Sequence, residues 1–169
     1  MPADGFVEPV TWHARQPGVV LSAAAVIGDG HGRVLLVKPN YRELWSLPGG
    51  ICEFREPPHE GCAREVTEEL GLTFTPGRLL SVDWRISLPM YGPQARPVGF
   101  FLFDGGTLDS LDGIRLQPEE LDDCRFVPES DLEAYLPPGS PERLRAALAA
   151  RGWAGACYVP TGWPPPGPA

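Results

Sequence analysis

The chain has 169 residues, enough for one domain with a sizeable core, and its 43% hydrophobic and 21% charged residues are ordinary for a soluble globular protein. A formal net charge of −8 with no basic run or stripe argues against a nucleic-acid-binding surface. It leaves room for a phosphorylated small molecule, because bound cations reverse the local field. No apolar stretch reaches membrane-spanning length and no basic segment leads into an apolar run at the N-terminus, so a cytoplasmic protein with no membrane association is expected. Cys52, Cys62, Cys124 and Cys157 are widely spaced, without a C-x-x-C pair or zinc-ligand spacing, and are expected to be reduced thiols.

Residues 1–18 are irregular by composition and read as an extension ahead of a domain over 19–157; the Pro-rich residues 158–169 read as a tail. Both are expected to pack loosely or to support a partner contact, with a homodimer as the candidate assembly. Val19 to Ile27 and Arg33 to Lys38 read as strands joined by the turn Gly28-Asp29-Gly30-His31-Gly32, with His31 a solvated loop residue. After Trp45-Ser46-Leu47-Pro48-Gly49-Gly50 comes a helix, which Pro57-Pro58 suits at its start and Gly71 ends as a left-handed cap. Leu79 to Leu88 and Pro97 to Phe103 read as strands around a Pro/Gly-bearing loop. The acidic loop Gln117 to Asp123 precedes a short strand, Arg125 to Val127. Asp131 to Tyr135 and Pro141 to Arg151 read as helices, the second with Ser140 as N-cap. Strands, one helix, further strands and terminal helices together predict an α/β fold with a mixed sheet between helical layers.

On the central helix Glu65, Glu68 and Glu69 stand at i, i+3 and i+4, on one face, where like charges repel unless something positive compensates. Cys62, Ala63, Val66 and Leu70 fall on the opposite, apolar side, and Cys62 reads as a small buried hydrophobe. Carboxylate oxygens suit hard cations, so the face reads as a platform for Mg²⁺ or Mn²⁺. A run of acids is more often a solvated helix face, and it is the surrounding pattern that decides. The segment Gly50 to Leu72, GICEFREPPHEGCAREVTEELGL, resembles the Nudix box, G-x5-E-x7-R-E-U-x-E-E-x-G-U with U aliphatic. Gly50, Glu56, Arg64, Glu65, Val66, Glu68, Glu69, Gly71 and Leu72 occupy every specified position. Arg55 stands where many family members carry glycine, outside the fixed pattern.

The resemblance implies an α/β/α sandwich with a mixed sheet. It also implies metal-dependent hydrolysis of a small-molecule nucleoside diphosphate linked to another moiety. Carried over residue by residue, Glu68, Glu69 and the Gly50 carbonyl are metal ligands, and Glu65 is a third ligand or the general base. Glu56 is expected to orient Arg64 or bind a bridging metal, and Arg64 to fix the helix face by ion pairing with Glu60 or Glu68. Among the acids of the loop at 117–123, Glu120 is the candidate for a further catalytic group. Trp84, Tyr91 and Phe101 are candidates to stack on a base, against the competing reading of core packing. Arg85 and Arg96 are candidates for a terminal phosphate. Pro89 and Tyr91 lie near, but slightly beyond, positions that mark ADP-ribose and dinucleoside polyphosphate hydrolases, so the substrate is left open. The alternatives are a non-catalytic nucleotide sensor on the same fold and an enzyme resembling isopentenyl diphosphate isomerase, for which Cys52 and Cys124 would be the thiols.

Overall fold

In the computed structural model, which describes residues 7–16, 18–85 and 96–159, the first two apolar runs form strands β1 (Val20–Gly28) and β2 (Arg33–Pro39). Their β-branched and aliphatic side chains alternate between two faces, as the period of a strand requires. Ala23, Ala25, Ile27, Leu35 and Val37 belong to one buried cluster, and Val26, Val34 and Leu36 to the other. Gly30 and Gly32 in the connecting turn have φ of 76° and 85°, and Asp29 Oδ1 accepts the amides of His31 (2.8 Å) and Arg33 (3.0 Å). His31 is exposed, as expected for a turn residue.

The remaining elements are β3 (Gly49–Ile51), α2 (Pro58–Leu70), β4 (Leu79–Arg85), β5 (Val98–Thr107), β6 (Leu121–Pro128), α3 (Leu132–Tyr135), α4 (Ser140–Ala150) and β7 (Cys157–Val159). The strand order is β6-β2-β1-β5-β4-β7, with β3 paired to β1. β1 runs parallel to β5 and β4 parallel to β7; the other pairings are antiparallel. Cys62, Val66 and Leu70 of α2 close the first cluster, while Leu132, Leu144, Ala147 and Ala150 of α3 and α4 close the second with Leu80 and Leu102. The sheet therefore lies between helical layers, and the α/β/α sandwich of the sequence reading is the fold. Fully burying Val66 or Leu70 stabilises by about 1.5–3 kcal/mol each, which ties the acidic helix firmly to the sheet.

Several element boundaries differ from the sequence reading. β6 begins at Leu121, so Asp122 and Asp123 are strand rather than loop; pairing from Pro39↔Leu121 to Arg33↔Pro128 along β2 overrides their low strand propensity. β5 continues beyond Phe103 to Thr107 beside β1. Ser140 is the first residue of α4, not its cap: Gly139, at φ 83°, holds that position, and the Ser140 hydroxyl accepts from Arg143 Nη2 at 3.0 Å. Two short elements form within the described parts of the terminal segments. Helix α1 (Pro9–Ala14) forms where the Glu8 carboxylate accepts the Val10 amide, and β7 extends the sheet edge. The predicted strand over Leu79 to Leu88 is seen to Arg85; its last residues lie outside the described ones, as do Pro89 and Tyr91. Among the described residues no helix is long and apolar enough to cross a membrane.

Candidate active site

The site starts from two glycines. In β3, Gly49 pairs with Ala24 and Gly50 with Ala23, and the backbone runs against α2. A Cβ on Gly50 would stand 2.5 Å from the Glu65 carboxyl carbon, so the glycine makes the space that carboxylate fills. One position earlier the Gly49 amide donates to Glu69 Oε2 at 2.7 Å. At the far end of α2, Gly71 takes φ 64° and caps the helix through Thr67 O. Beyond it, Arg115 N donates to Leu70 O at 2.8 Å and Gln117 N to Glu69 O at 3.2 Å. These bonds lay the following segment along the helix end and bring Gln117 and Glu120 to the acidic face.

The result is a cavity of about 320 Å³ lined by Gly49, Gly50, Glu65, Glu68, Glu69 and Glu120, with Tyr41, Ile51, Arg64 and Gln117 completing its wall. Arg64 is its central fastener. Nε and Nη2 grip the two Glu56 oxygens at 2.9 and 3.0 Å, and Nη1 reaches Glu65 at 2.8 Å and Glu68 at 3.1 Å. The expected pairing with Glu68 is present; the second strong partner is Glu56 rather than Glu60. The Arg64 guanidinium holds the Glu56 carboxyl down to about 2, with the Glu53 amide adding to the effect. The Glu56 carboxylate in turn pushes the Arg64 pKa up.

The sequence places Glu65, Glu68 and Glu69 on one face, and the fold divides them. Glu68 is exposed, Glu65 half-buried, and Glu69 only 7% exposed beneath β3. Burial pushes the Glu69 carboxyl up to about 8 against the opposing Gly49 amide, and the charges of Glu65 and Glu120 push the same way. Burial also raises Glu65; the Arg64 guanidinium opposes it, and Glu68 and Glu120 reinforce it. Glu120 thus shares the cavity with Glu65 and Glu69. Among the described residues no three acidic, His or Cys side chains already converge as a metal's ligands. The donors nevertheless fit a hard divalent cation, being carboxylates whose mutual repulsion one positive charge would relieve, beside a backbone carbonyl.

Trp84, Arg85 and Phe101 stand on β4 and β5 and are not among the residues lining this cavity. Trp84 and Phe101 close over Gly99, and Phe101 packs against the α2-side core. Arg85 donates to Pro138 O at 3.1 Å and lies 3.5 Å from the buried Asp83 carboxylate. Arg96 packs beside Gly18 at the start of β1. Cys52 and Cys124 do not line the cavity either, and burial raises both thiols, which disfavours the thiolate that isomerase chemistry would need. Cys62 is fully buried, its thiol pushed up to about 12 by burial, as a core residue should be. Tyr41 and Gln117 escaped the sequence reading, and nothing local marks them.

A family model described as NUDIX domain matches residues 19–149. The curated protein "Putative ADP-ribose pyrophosphatase YjhB" of Bacillus subtilis (strain 168) is 34% identical over 112 residues, which is 66% of this chain and 50% of that protein. The chain therefore matches half the length of that relative. Among solved structures, a MutT protein from Methanosarcina mazei Go1 is 25% identical with a TM-score of 0.66, over 82% of this chain and 99% of its own. An ADP-ribose pyrophosphatase from Streptococcus suis 89-1591 is 26% identical with a TM-score of 0.58, over 83% and 98%.

Proposed function

The chain belongs to the NUDIX family, and on that premise we propose that it hydrolyses the pyrophosphate linkage of a nucleoside diphosphate joined to another moiety, using Mg²⁺ or Mn²⁺. The observation that supports this reading is that Glu65, Glu68, Glu69 and Glu120 line one cavity with the Gly49–Gly50 backbone. Glu68, Glu69 and the Gly50 carbonyl would hold the cation, with Glu65 able to join them. When bound, the cation would neutralise phosphate oxygens that otherwise repel a nucleophile and lower the pKa of water beside it. The protein's own part is to place the bases. Glu65, raised by burial, is a stronger proton acceptor than a free glutamate, and Glu120 faces it across the cavity. Arg64 holds Glu65 and Glu68 in place and is itself held by Glu56.

The activity named for the two pyrophosphatase relatives makes ADP-ribose the first substrate to assay. Purified protein with Mg²⁺ or Mn²⁺ would be offered ADP-ribose, nucleotide sugars, dinucleoside polyphosphates, NADH, oxidised nucleotides and nucleoside triphosphates, with phosphate and pyrophosphate release measured. Cleavage of one class that disappears in a Glu69→Gln control is the expected result. Silence across the panel beside demonstrated nucleotide binding would favour a sensor. Glu65→Gln and Glu120→Gln separate the two candidate bases: the base's replacement should lower kcat and abolish its rise toward alkaline pH. Arg64→Lys keeps the charge but loses the planar fork that holds Glu56. It is expected to lower kcat about 10- to 100-fold, the range for residues that orient metal ligands, with thermal stability changed little. Unaltered turnover would remove Arg64 from that role.

A further inference from the structure

Two exposed aromatic side chains stand on loops joined to the walls of the acidic cavity, Tyr41 beside the Glu120 segment and Phe54 three residues after Ile51, and each carries its own arginine. Tyr41 is 72% exposed and lines the cavity; the Arg42 guanidinium lies 5.8 Å from its ring centre. Phe54 is 90% exposed, with the Arg55 guanidinium 5.1 Å from its ring. Both loops are tied to the cavity wall by hydrogen bonds. The Asn40 amide donates to Glu120 O at 2.9 Å and its side chain to Glu119 O at 2.8 Å, tying the Tyr41 loop to the Glu120 wall. The Phe54 loop is gripped at both ends by one guanidinium: Arg64 Nη2 donates to Ile51 O at 3.3 Å, and Arg64 holds both Glu56 oxygens. Ile51 and Arg64, which anchor this loop, both line the cavity. Arg55 adopts φ 68°, a left-handed conformation that residues with a side chain rarely take. The chain thus holds a large apolar ring in water and a strained arginine beside it, where burial would have been the ordinary fate of the ring.

We propose that Tyr41 and Phe54 are the aromatic lips that hold the planar base of the nucleoside, with Arg42 and Arg55 available to its phosphate oxygens; this deepens, and rests on, the pyrophosphohydrolase reading. A base has two π-faces and stacks on such rings without needing specific hydrogen bonds. The floor of the cavity is acidic, so arginines at its rim supply the positive charge that a phosphate chain needs away from the cation.

The test compares two probes whose P–C–P link resists hydrolysis, α,β-methylene-ADP and methylenediphosphonate, by calorimetric titration in Mg²⁺. The wild-type chain should bind the nucleotide more tightly than the bare diphosphonate. Tyr41→Ala and Phe54→Ala should each shrink that affinity ratio about tenfold, while Tyr41→Phe and Phe54→Tyr should preserve it. A wild-type ratio near one, or an unchanged ratio in the Tyr41→Ala/Phe54→Ala double variant, would overturn the proposal. So would a dimer that the double variant dissociates while the ratio holds, since the lips would then be a contact between copies. The expected ratios without turnover on any panel substrate would leave the lips standing and sink the hydrolase reading instead.

Discussion

Replacing Glu69 with glutamine is expected to lower Mg²⁺-dependent turnover by more than about a hundredfold, beyond the range for residues that merely orient a ligand. The fold should survive, because glutamine matches the volume and its carbonyl oxygen can keep the 2.7 Å bond from the Gly49 amide. What it removes is the charge. Glu69 titrates near 8 in the folded chain against an ordinary 4.5. Between those values the native state keeps a proton that the unfolded chain has lost, so the metal-free protein loses stability as pH rises toward 8. The metal-free melting temperature of the wild type should therefore fall from pH 5 to pH 8 more steeply than that of Glu69→Gln. Mg²⁺ binding needs the ionised carboxylate, so added Mg²⁺ should recover more stability at pH 8 than at pH 6 in the wild type. That pH-dependent gain should be much smaller in the variant. Near-normal turnover of Glu69→Gln at saturating metal would remove Glu69 from the site.

The acidic helix was legible because its functional groups share one element, where fixed offsets translate into fixed geometry. The burial of Glu69 was not. A helical projection puts Glu68 and Glu69 on the same face, but only the backbone of β3 crossing above makes one buried and leaves the other in water. That strand is three residues long with two glycines, so neither propensity nor alternation announces it; it exists through its register with Ser22, Ala23 and Ala24. The α/β/α sandwich followed from alternation in the apolar runs, which survives in the two core clusters. Position in a strand does not say which end of the sheet a ring serves: Trp84 and Phe101 gather over Gly99, whereas Tyr41 at the cavity wall sits in a loop, where no periodicity marks it.

The two glycines of β3 should fail differently when each gains a methyl group. Gly49 has φ 136°, and a Cβ there would meet the Ala23 carbonyl oxygen and stand 2.5 Å from Ala24 Cα. Both obstacles are backbone of a central strand, which cannot yield without breaking the β1 pairing. Conformational strain and overpacking together put the destabilisation by Gly49→Ala at about 4 kcal/mol, a large part of what holds a domain of this size together. The measurement is urea unfolding, or failure to recover folded protein at all. A Cβ on Gly50 meets only the end of the Glu65 side chain, which can rotate away. Gly50→Ala is therefore expected to fold, with a stability loss of about 1–2 kcal/mol, and to lose turnover about tenfold or more as Glu65 leaves its place against Arg64. A Gly50→Ala protein as active as the wild type would mean that Glu65 works equally well elsewhere, and the base would then have to be Glu120. If Gly49→Ala folded normally, β3 would not be the fixed backbone that sets the height of Glu69 above the sheet.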